Sequence, residues 1–204
     1  KAIEVGIGMV ADLKEKGYNV LATGEMGIGN TTTSSAVCSV LLDQSVEKVT
    51  GKGAGLTNKD LEHKIEVIRQ SIALNKVNAD DPLDVLAKVG GLDIAGMAGC
   101  YIGGAALNIP VFIDGFISSV AALIAIRLVP ECAPYLFPSH CSNEPAGHLI
   151  LDAIGKEPYI LANMCLGEGT GAVMGFTIAD YAFKAYWELP SFEQTNFGTY
   201  EELN

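Results

Sequence analysis

The sequence predicts an α/β protein in which a parallel sheet carries helices on both faces, a three-layer arrangement. Short apolar runs alternate along the chain with longer runs that have helical spacing. Two of the short runs, residues 20–22 and 161–166, lead directly into glycine-rich loops, and a helical pattern follows each loop. Alternation of this kind is typical of parallel sheets covered by helices. With 204 residues, 49% of them apolar, the chain can build a substantial core.

The helices are predicted from apolar spacing and from residues that begin or end them. An amphipathic pattern runs from the first residues to Gly17. Thr57 and Asp60 are spaced as at a helix N-terminus, and Pro82 stands where proline is favoured in a first turn. The remaining helical patterns share small or apolar residues at helical spacing, and they cover residues 31–42, 92–107, 117–128, 142–154 and 172–187.

Two further strands are expected after the first apolar run. Residues 110–113 form the better candidate, and residues 133–137 form the second. The first of these would deliver Asp114 and Gly115 to the carboxyl end of a strand. Ligands of parallel sheets bind at that edge. We therefore expect Asp114 to lie in a binding site.

Charge and cysteine content exclude several classes of function. The net charge of −11 disfavours nucleic acid and anionic membrane surfaces as partners. The longest apolar run, residues 116–129, has only ~14 residues where a membrane-spanning helix needs ~20. The five cysteines are an odd number and include no C-x-x-C pair, which is typical of reduced thiols. We expect a soluble cytoplasmic protein with neither nucleic-acid nor membrane partners.

The first glycine loop, GEMGIGNTTTSS at residues 24–35, has the composition of a phosphate site. Glycines at a strand-to-helix junction expose backbone N–H groups, and the helix N-terminus carries positive partial charge. The spacing of Gly24 and Gly29 matches a P-loop, but Asn30 and Thr31 replace its Lys-Ser/Thr pair. We therefore expect a monophosphate site with hydroxyl donors from residues 31–33. The alternative is a glycine-rich turn capped by Asn30.

Two carboxylates occupy equivalent places in the two glycine loops. Glu25 follows Gly24, and Glu168 stands between Gly167 and Gly169 in LGEGTGA. Beside a phosphosugar, a carboxylate can stabilise an oxocarbenium-like transition state or accept a proton, as in cleavage of an N-glycosidic bond. The alternative is that Glu168 is only a helix-terminal acid, favoured by the dipole by ~0.3–1 kcal/mol.

Six motifs together give the sequence a specific resemblance. They are GEMGIGNTT, GKGAGL, LEHK, VFIDGFISS, SHCSNEP and LGEGTGA, and they extend over nearly the whole chain. In this order they resemble the nicotinate-nucleotide:dimethylbenzimidazole phosphoribosyltransferase family of cobamide biosynthesis. The resemblance implies a Rossmann-like parallel sheet, a homodimer and no metal or other cofactor. It also implies transfer of phosphoribose from nicotinate mononucleotide to 5,6-dimethylbenzimidazole or a related base, giving alpha-ribazole 5'-phosphate and nicotinate.

The resemblance assigns roles to individual residues. It implies that Glu168 is the general base that takes the benzimidazole ring proton and that Glu25 is a second carboxylate near the reacting centre. Asp114 would hold ribose hydroxyls. The remaining substrate-binding residues, most of them around the phosphate, would be Gly27, Asn30, Thr31, Thr32, Lys64, Ser142 and Gly167. For Lys64 taken alone, a solvated charge on a helix is the alternative.

Members of the family that these motifs resemble also carry a long N-terminal segment before the position of Lys1. The resemblance implies that this N-terminal segment lines much of the benzimidazole pocket in members of the family. We assign residues 1–189 to the phosphoribosyltransferase domain and residues 190–204 to a polar acidic tail. If the segment is truly absent, a non-catalytic phosphate- or nucleotide-binding module is the alternative function.

Two other side-chain groups are weaker candidates for sites. His140, Cys141 and His148 lack the close pairs and fourth ligand of zinc sites, so we expect histidines with ordinary hydrogen bonds. Aromatic residues cluster near the end of the last long helix, and they are Tyr181, Phe183, Tyr186 and Trp187. We expect them to pack in the core or at a dimer interface, with base stacking as the alternative.

Overall fold

The structure, a computed structural model, describes residues 1–195. Its helices are α1 (Ala2–Glu15), α2 (Thr31–Leu41), α3 (Val46–Val49), α4 (Asn58–Asn75), α5 (Pro82–Val89), α6 (Leu92–Ala106), α7 (Phe116–Leu128), α8 (Gly147–Ala153) and α9 (Thr170–Glu188). The strands are β1 (Leu21–Ala22), β2 (Val111–Ile113) and β3 (Leu136–Pro138). Short 3-10 helices lie at Pro130–Tyr135 and Phe192–Gln194. Residues 196–204 of the predicted acidic tail lie outside the described residues.

The three strands form a parallel sheet in the order β1-β2-β3, with Val111 of β2 paired to Leu21 and Leu136. Neighbouring residues of a strand point to opposite faces. A Cβ placed on Gly104 of α6 would lie 2.5 Å from Val111 Cγ2, whereas one on Gly175 of α9 would lie 2.8 Å from the Phe112 ring. Helices α6 and α9 therefore cover opposite faces of β2. The predicted three-layer α/β fold is confirmed.

Capping residues begin two of the helices where the sequence predicted. Thr57 Oγ1 accepts the backbone N–H of Asp60 at 3.2 Å at the start of α4. Asp81 Oδ1 accepts the N–H groups of Leu83 and Asp84 at 2.9 and 3.3 Å, with Pro82 as the first residue of α5. These bonds satisfy N–H groups that have no partner inside the helix.

Proline accounts for two places where the predicted bounds were wrong. The helix expected at residues 142–154 begins only at Gly147, because Pro145 disfavours helical backbone at Glu144. The strand expected at residues 133–137 begins at Leu136, since residues up to Tyr135 form a 3-10 helix that contains Pro134. Residues 142–146 consequently form an irregular segment at the end of the sheet.

Helices α1 and α6 pack at backbone distance through glycines. A Cβ on Gly99 would overlap the carbonyl oxygen of Ile3, and one on Gly6 would overlap that of Gly96. Beyond this contact, the centre of α7 is buried, with Val120, Leu123 and Ile124 fully inaccessible to solvent. Among the helices of residues 1–195, none is long and apolar enough to cross a membrane.

We expect Gly99→Ala to lower the free energy of unfolding by about 1–3 kcal/mol, because the added methyl group forces two backbones apart. The matched control is Gly8→Ala in α1, where a Cβ meets nothing within 4 Å. That variant should gain roughly 0.5–1 kcal/mol from helix propensity. Urea unfolding of both variants measures the difference, and equal stabilities would contradict the close α1–α6 contact.

Candidate active site

The two glycine loops meet at the carboxyl end of the sheet. The N–H of Glu168 donates to the carbonyl oxygen of Glu25 at 2.9 Å. A Cβ on Gly24 would lie 2.5 Å from the backbone nitrogen of Gly169 and 2.6 Å from its Cα. Only glycine at position 24 allows this approach. The loops that carry the two predicted catalytic carboxylates therefore touch through their backbones.

Asp114, directly after β2, holds the second loop in place. Its side chain is buried, and Oδ2 accepts the N–H of Gly169 at 2.9 Å. Its Oδ1 accepts the N–H of Gly171 at 2.8 Å and that of Ala172 at 3.3 Å. A carboxylate in this position compensates the positive end of α9. Asp114 thus caps α9 and fixes the loop, while its predicted contact with ribose hydroxyls stays a prediction.

Glu168 is held in a backbone conformation that side-chain-bearing residues rarely adopt. Its φ is 59°, in the left-handed region, between two glycines with φ of 77° and 82°. Its side chain is exposed and lines an open hollow with Glu25, Thr23 and Val173. A strained residue persists only where its surroundings impose it, and such residues cluster at functional sites. Here the Asp114 cap and the backbone contact to Glu25 impose it.

Glu25 bends back onto its own loop. Its Oε2 accepts the N–H of Gly27 at 2.5 Å, and the side chain is half-buried. Glu25 also lines both the open hollow and the main cleft beside it. The N–H of Gly27, predicted to bind phosphate, is therefore occupied by an internal carboxylate. A phosphate that used this N–H would require Glu25 to turn away.

Lys64 reaches the first loop from α4. Its side chain is only 7% exposed, and Nζ donates to Thr31 Oγ1 at 2.9 Å and to the carbonyl oxygen of Gly51 at 3.0 Å. Burial lowers the pKa of Lys64, and the nearby charge of Glu144 opposes that shift. The alternative of a solvated helix charge is therefore wrong. Lys64 places a positive charge directly behind the predicted phosphate loop.

Asn30 ties the first loop to α6 and does not cap α2. Its Nδ2 donates to Asp93 Oδ2 at 2.8 Å, and its Oδ1 is buried without a hydrogen-bond partner. Thr33 Oγ1 donates to the Asn30 carbonyl oxygen at 3.0 Å, and Thr32 is half-buried beside it. The alternative of a simple Asn30 cap is not supported, because no side-chain capping bond forms.

Six of the ten predicted site residues line one cleft between the loops. They are Glu25, Gly27, Thr31, Asp114, Ser142 and Gly167. Lys64 stands behind Thr31, and Glu168 faces the adjoining hollow. Ser142 reaches the cleft because the chain is irregular before α8, and its Oγ accepts the N–H of Glu144 at 3.3 Å. The structure therefore brings together loops that are far apart in sequence.

Comparison with known proteins assigns this arrangement to a family. A family model described as Phosphoribosyltransferase matches residues 1–197. The chain belongs to this phosphoribosyltransferase family. It is 54% identical over its whole length to nicotinate-nucleotide–dimethylbenzimidazole phosphoribosyltransferase of Ruminiclostridium cellulolyticum and 49% identical over its whole length to that of Clostridium acetobutylicum. The resemblance predicted from the six motifs is confirmed.

A solved structure of the same kind matches in three dimensions. CobT from Thermus thermophilus superposes with a TM-score of 0.90 at 32% identity, over 97% of this phosphoribosyltransferase chain and 59% of the CobT chain. The chain likewise spans 58% of the Ruminiclostridium cellulolyticum and Clostridium acetobutylicum relatives. The relatives are therefore considerably longer than the chain described here.

His140 lines the phosphoribosyltransferase cleft, although the sequence analysis considered it only as a weak candidate for a metal site. It follows β3, is buried, and its Nδ1 lies 3.1 Å from Ser139 Oγ. Burial lowers the pKa of the imidazole, and Asp114 opposes that shift. A Cβ on Gly171 would overlap the ring, so Gly171 makes room for it. Its place after a strand, like that of Asp114, is the sequence feature that could have identified it.

Within residues 1–195 of the phosphoribosyltransferase chain, no three His, Cys, Asp or Glu side chains are grouped so as to hold a metal ion. His140 instead makes the ordinary hydrogen bond that was expected. Whether the reaction requires a metal or another cofactor is a separate matter, and our expectation of none stays a prediction.

The aromatic residues near the end of α9 lie outside the core of this phosphoribosyltransferase chain. Tyr181, Phe183, Tyr186 and Trp187 are between 65% and 76% exposed. Core packing was therefore the wrong expectation for them. Helix α9 contributes to the core only through its first turns, where Gly171, Ala172 and Gly175 are buried.

Proposed function

We propose that this chain carries the reaction site of an enzyme that transfers phosphoribose from nicotinate mononucleotide to 5,6-dimethylbenzimidazole or a related base. The products are alpha-ribazole 5'-phosphate and nicotinate. The observation that carries the proposal is the backbone contact between the loops of Glu25 and Glu168, beside a cleft backed by Lys64. The names of the relatives support the same reaction.

The phosphate of nicotinate mononucleotide fits at the start of α2. There the helix N-terminus, the Thr31 hydroxyl and the buried Lys64 ammonium are within reach of one anion. The GKGAGL segment closes this end of the cleft, since Gly53 lies against Thr31 and Gly51 accepts a hydrogen bond from Lys64. With the phosphate held here, the ribose extends toward Asp114 and the two glutamates.

The chemistry follows from the two carboxylates. A ring nitrogen of the base attacks the anomeric carbon as the glycosidic bond to nicotinate breaks, so nicotinate leaves with the bonding electrons and the configuration inverts. Positive charge develops on the sugar, and we assign its stabilisation to Glu25, which lines the cleft. The second ring nitrogen of the base becomes acidic as the new bond forms, and Glu168 accepts its proton.

The relatives are longer than this chain, and we relate the additional length to binding of the acceptor base. Glu168 faces an open hollow in residues 1–195, which leaves the benzimidazole side of the site broadly exposed. We assign completion of that side to the segment that the relatives have beyond this chain. We also place the enzyme in the cytoplasm as a homodimer, for which the exposed aromatic end of α9 offers an apolar contact surface.

Product analysis tests the proposed reaction. The enzyme that contains this chain is incubated with nicotinate mononucleotide and 5,6-dimethylbenzimidazole, and nicotinate and alpha-ribazole 5'-phosphate are measured by chromatography. Stoichiometric formation of both supports the transfer. Binding of nicotinate mononucleotide without either product would favour the non-catalytic phosphate-binding module.

Lys64→Ala should weaken binding of nicotinate mononucleotide or inorganic phosphate by roughly 1–3 kcal/mol, the range for charge-assisted hydrogen bonds. The reason is that the loop has no lysine of its own and relies on this buried ammonium. Calorimetric titration measures the affinity. Lys59→Ala on the exposed face of the same helix is the control and should bind normally. An unchanged affinity for Lys64→Ala would remove Lys64 from the site.

A further inference from the structure

A second charged side chain stands at the phosphate end of the cleft and has no role in the proposed reaction. Glu144, on the irregular segment before α8, lines the cleft together with Thr31, Gly53 and Ser142. It lies close enough to Lys64 for the two charges to influence each other, but they form no ion pair within 4.0 Å. The Glu144 carboxyl group and the Lys64 ammonium group thus lie at the same end of the cleft without forming a direct ion pair.

Lys64 and Glu144 use only part of their hydrogen-bonding capacity. Lys64 Nζ has three N–H groups and two protein acceptors, Thr31 Oγ1 and the Gly51 carbonyl oxygen. Glu144 Oε2 is buried without a hydrogen-bond partner and lies against Gly51, whose lack of a side chain leaves room for it. A buried carboxyl oxygen without a partner disfavours the ionised form, so this position favours a Glu144 side chain that holds a proton.

An ionised Glu144 would repel a phosphate dianion bound beside Lys64. A single proton between the two groups removes that conflict, because it converts repulsion between two anions into a hydrogen bond. A phosphate monoester can supply the proton, since its second pKa is about 6. The carboxyl group can also hold it, because burial raises the pKa of Glu144, while Lys64 and the Gly53 N–H oppose the shift.

We propose that Glu144 is a specificity residue that shares one proton with the phosphate of the substrate, so that the site selects a protonatable phosphate over sulfate-like dianions. This rests on the proposed phosphate site at Thr31 and Lys64. A sulfate group carries no proton at neutral pH, so it meets Glu144 as one anion meets another.

The other carboxyl and imidazole groups that line the cleft are engaged elsewhere, and the remaining titratable residue of its lining, Cys165, is a free thiol. Asp114 gives both oxygens to backbone N–H groups of the second loop. Glu25 accepts the N–H of Gly27, and His140 is paired with Ser139. Lys64 is the charged group that faces Glu144 from α4. Glu144 is therefore the group to which a proton taken up with phosphate is assigned.

The test is calorimetric titration of nicotinate mononucleotide, inorganic phosphate and sulfate at pH 8, each in two buffers of different ionisation enthalpy. The wild-type protein should take up close to one proton with nicotinate mononucleotide, whose phosphate monoester carries almost no proton at pH 8. It should also prefer inorganic phosphate, whose dianion keeps one proton, over sulfate by about ten- to hundredfold. Glu144→Gln should lose the proton uptake and bind sulfate nearly as well as phosphate, because an amide N–H donates to either anion. Glu157→Gln, on the exposed side of the chain, should behave as wild type.

Glu144→Ala, which also removes the carboxyl group, provides a second variant if the glutamine is not tolerated. It too should lose proton uptake and selectivity. Proton uptake that persists unchanged in these variants, or equal wild-type affinities for phosphate and sulfate, would overturn the role of Glu144 while leaving the phosphate site intact. If wild-type protein bound neither inorganic phosphate nor nicotinate mononucleotide, the proposed function would fail together with this inference.

Discussion

Replacing Glu168 with glutamine is expected to lower kcat by about 10²–10⁴, the usual contribution of general base catalysis. The variant keeps the shape of the side chain and its left-handed backbone position but removes its basicity. Without a base, the proton on the second nitrogen of the attacking benzimidazole has no nearby acceptor as the new bond forms. Affinity for nicotinate mononucleotide should change little, since Glu168 faces the open hollow that we propose for the acceptor base.

Steady-state turnover in the enzyme at the full length of its relatives measures this effect, with Glu25→Gln in parallel. Glu25 lines both the cleft and the hollow, and its expected work is charge stabilisation, so its loss should cost less. Near wild-type kcat for Glu168→Gln together with a collapse for Glu25→Gln would show that the two assignments are reversed.

Asp114→Ala should damage stability and turnover together. Three backbone N–H groups would lose a buried charged acceptor, which costs about 2–4 kcal/mol of the free energy of unfolding. The loop that imposes the strained backbone of Glu168 would relax at the same time. Because small displacements of a catalytic group can cost 10²-fold in rate, we expect kcat to fall by roughly that factor.

The matched control for Asp114 is Asp81, which also accepts backbone N–H groups at a helix start but lies far from the cleft in an exposed turn. Asp81→Ala should lose about 0.5–2 kcal/mol of stability and no turnover per folded molecule. Urea unfolding and kcat are measured for both variants. A stable and fully active Asp114→Ala protein would show that the second loop holds its shape without this carboxylate.

Local patterns in the sequence predicted the elements that local chemistry determines. The helix starts at Thr57 and Pro82 and the strand before Asp114 were predicted because each depends on residues within a few positions. The parallel alternation placed the first glycine loop and Asp114 at one edge of the sheet, since the carboxyl ends of parallel strands lie together. The apolar run 161–166 forms no strand, and the second loop reaches this edge through its contacts with Glu25 and Asp114.

The features that could not be predicted from the sequence depend on contacts between segments that are far apart along the chain. Spacing did not predict that Asp114 also accepts N–H groups of a loop that follows much later in the chain. The burial of Lys64 depends on Gly51 and Thr31, and the proximity of Glu144 depends on a turn introduced by Pro145. The exposure of Trp187 likewise depends on what packs against α9, which no spacing within α9 reveals.

The contact between Gly24 and Gly169 also bears on the order in which the molecule folds. It joins residues that are far apart in the sequence, so its formation carries the entropic cost of closing a very long loop. Pairings that need such closure form after local ones, and the segment from β2 to β3 can assemble before them. During synthesis the two glycine loops therefore cannot meet until the ribosome has released the second loop and the start of α9. A ligand that touches both loops then binds only molecules in which the two loops have already met, and its binding stabilises that contact.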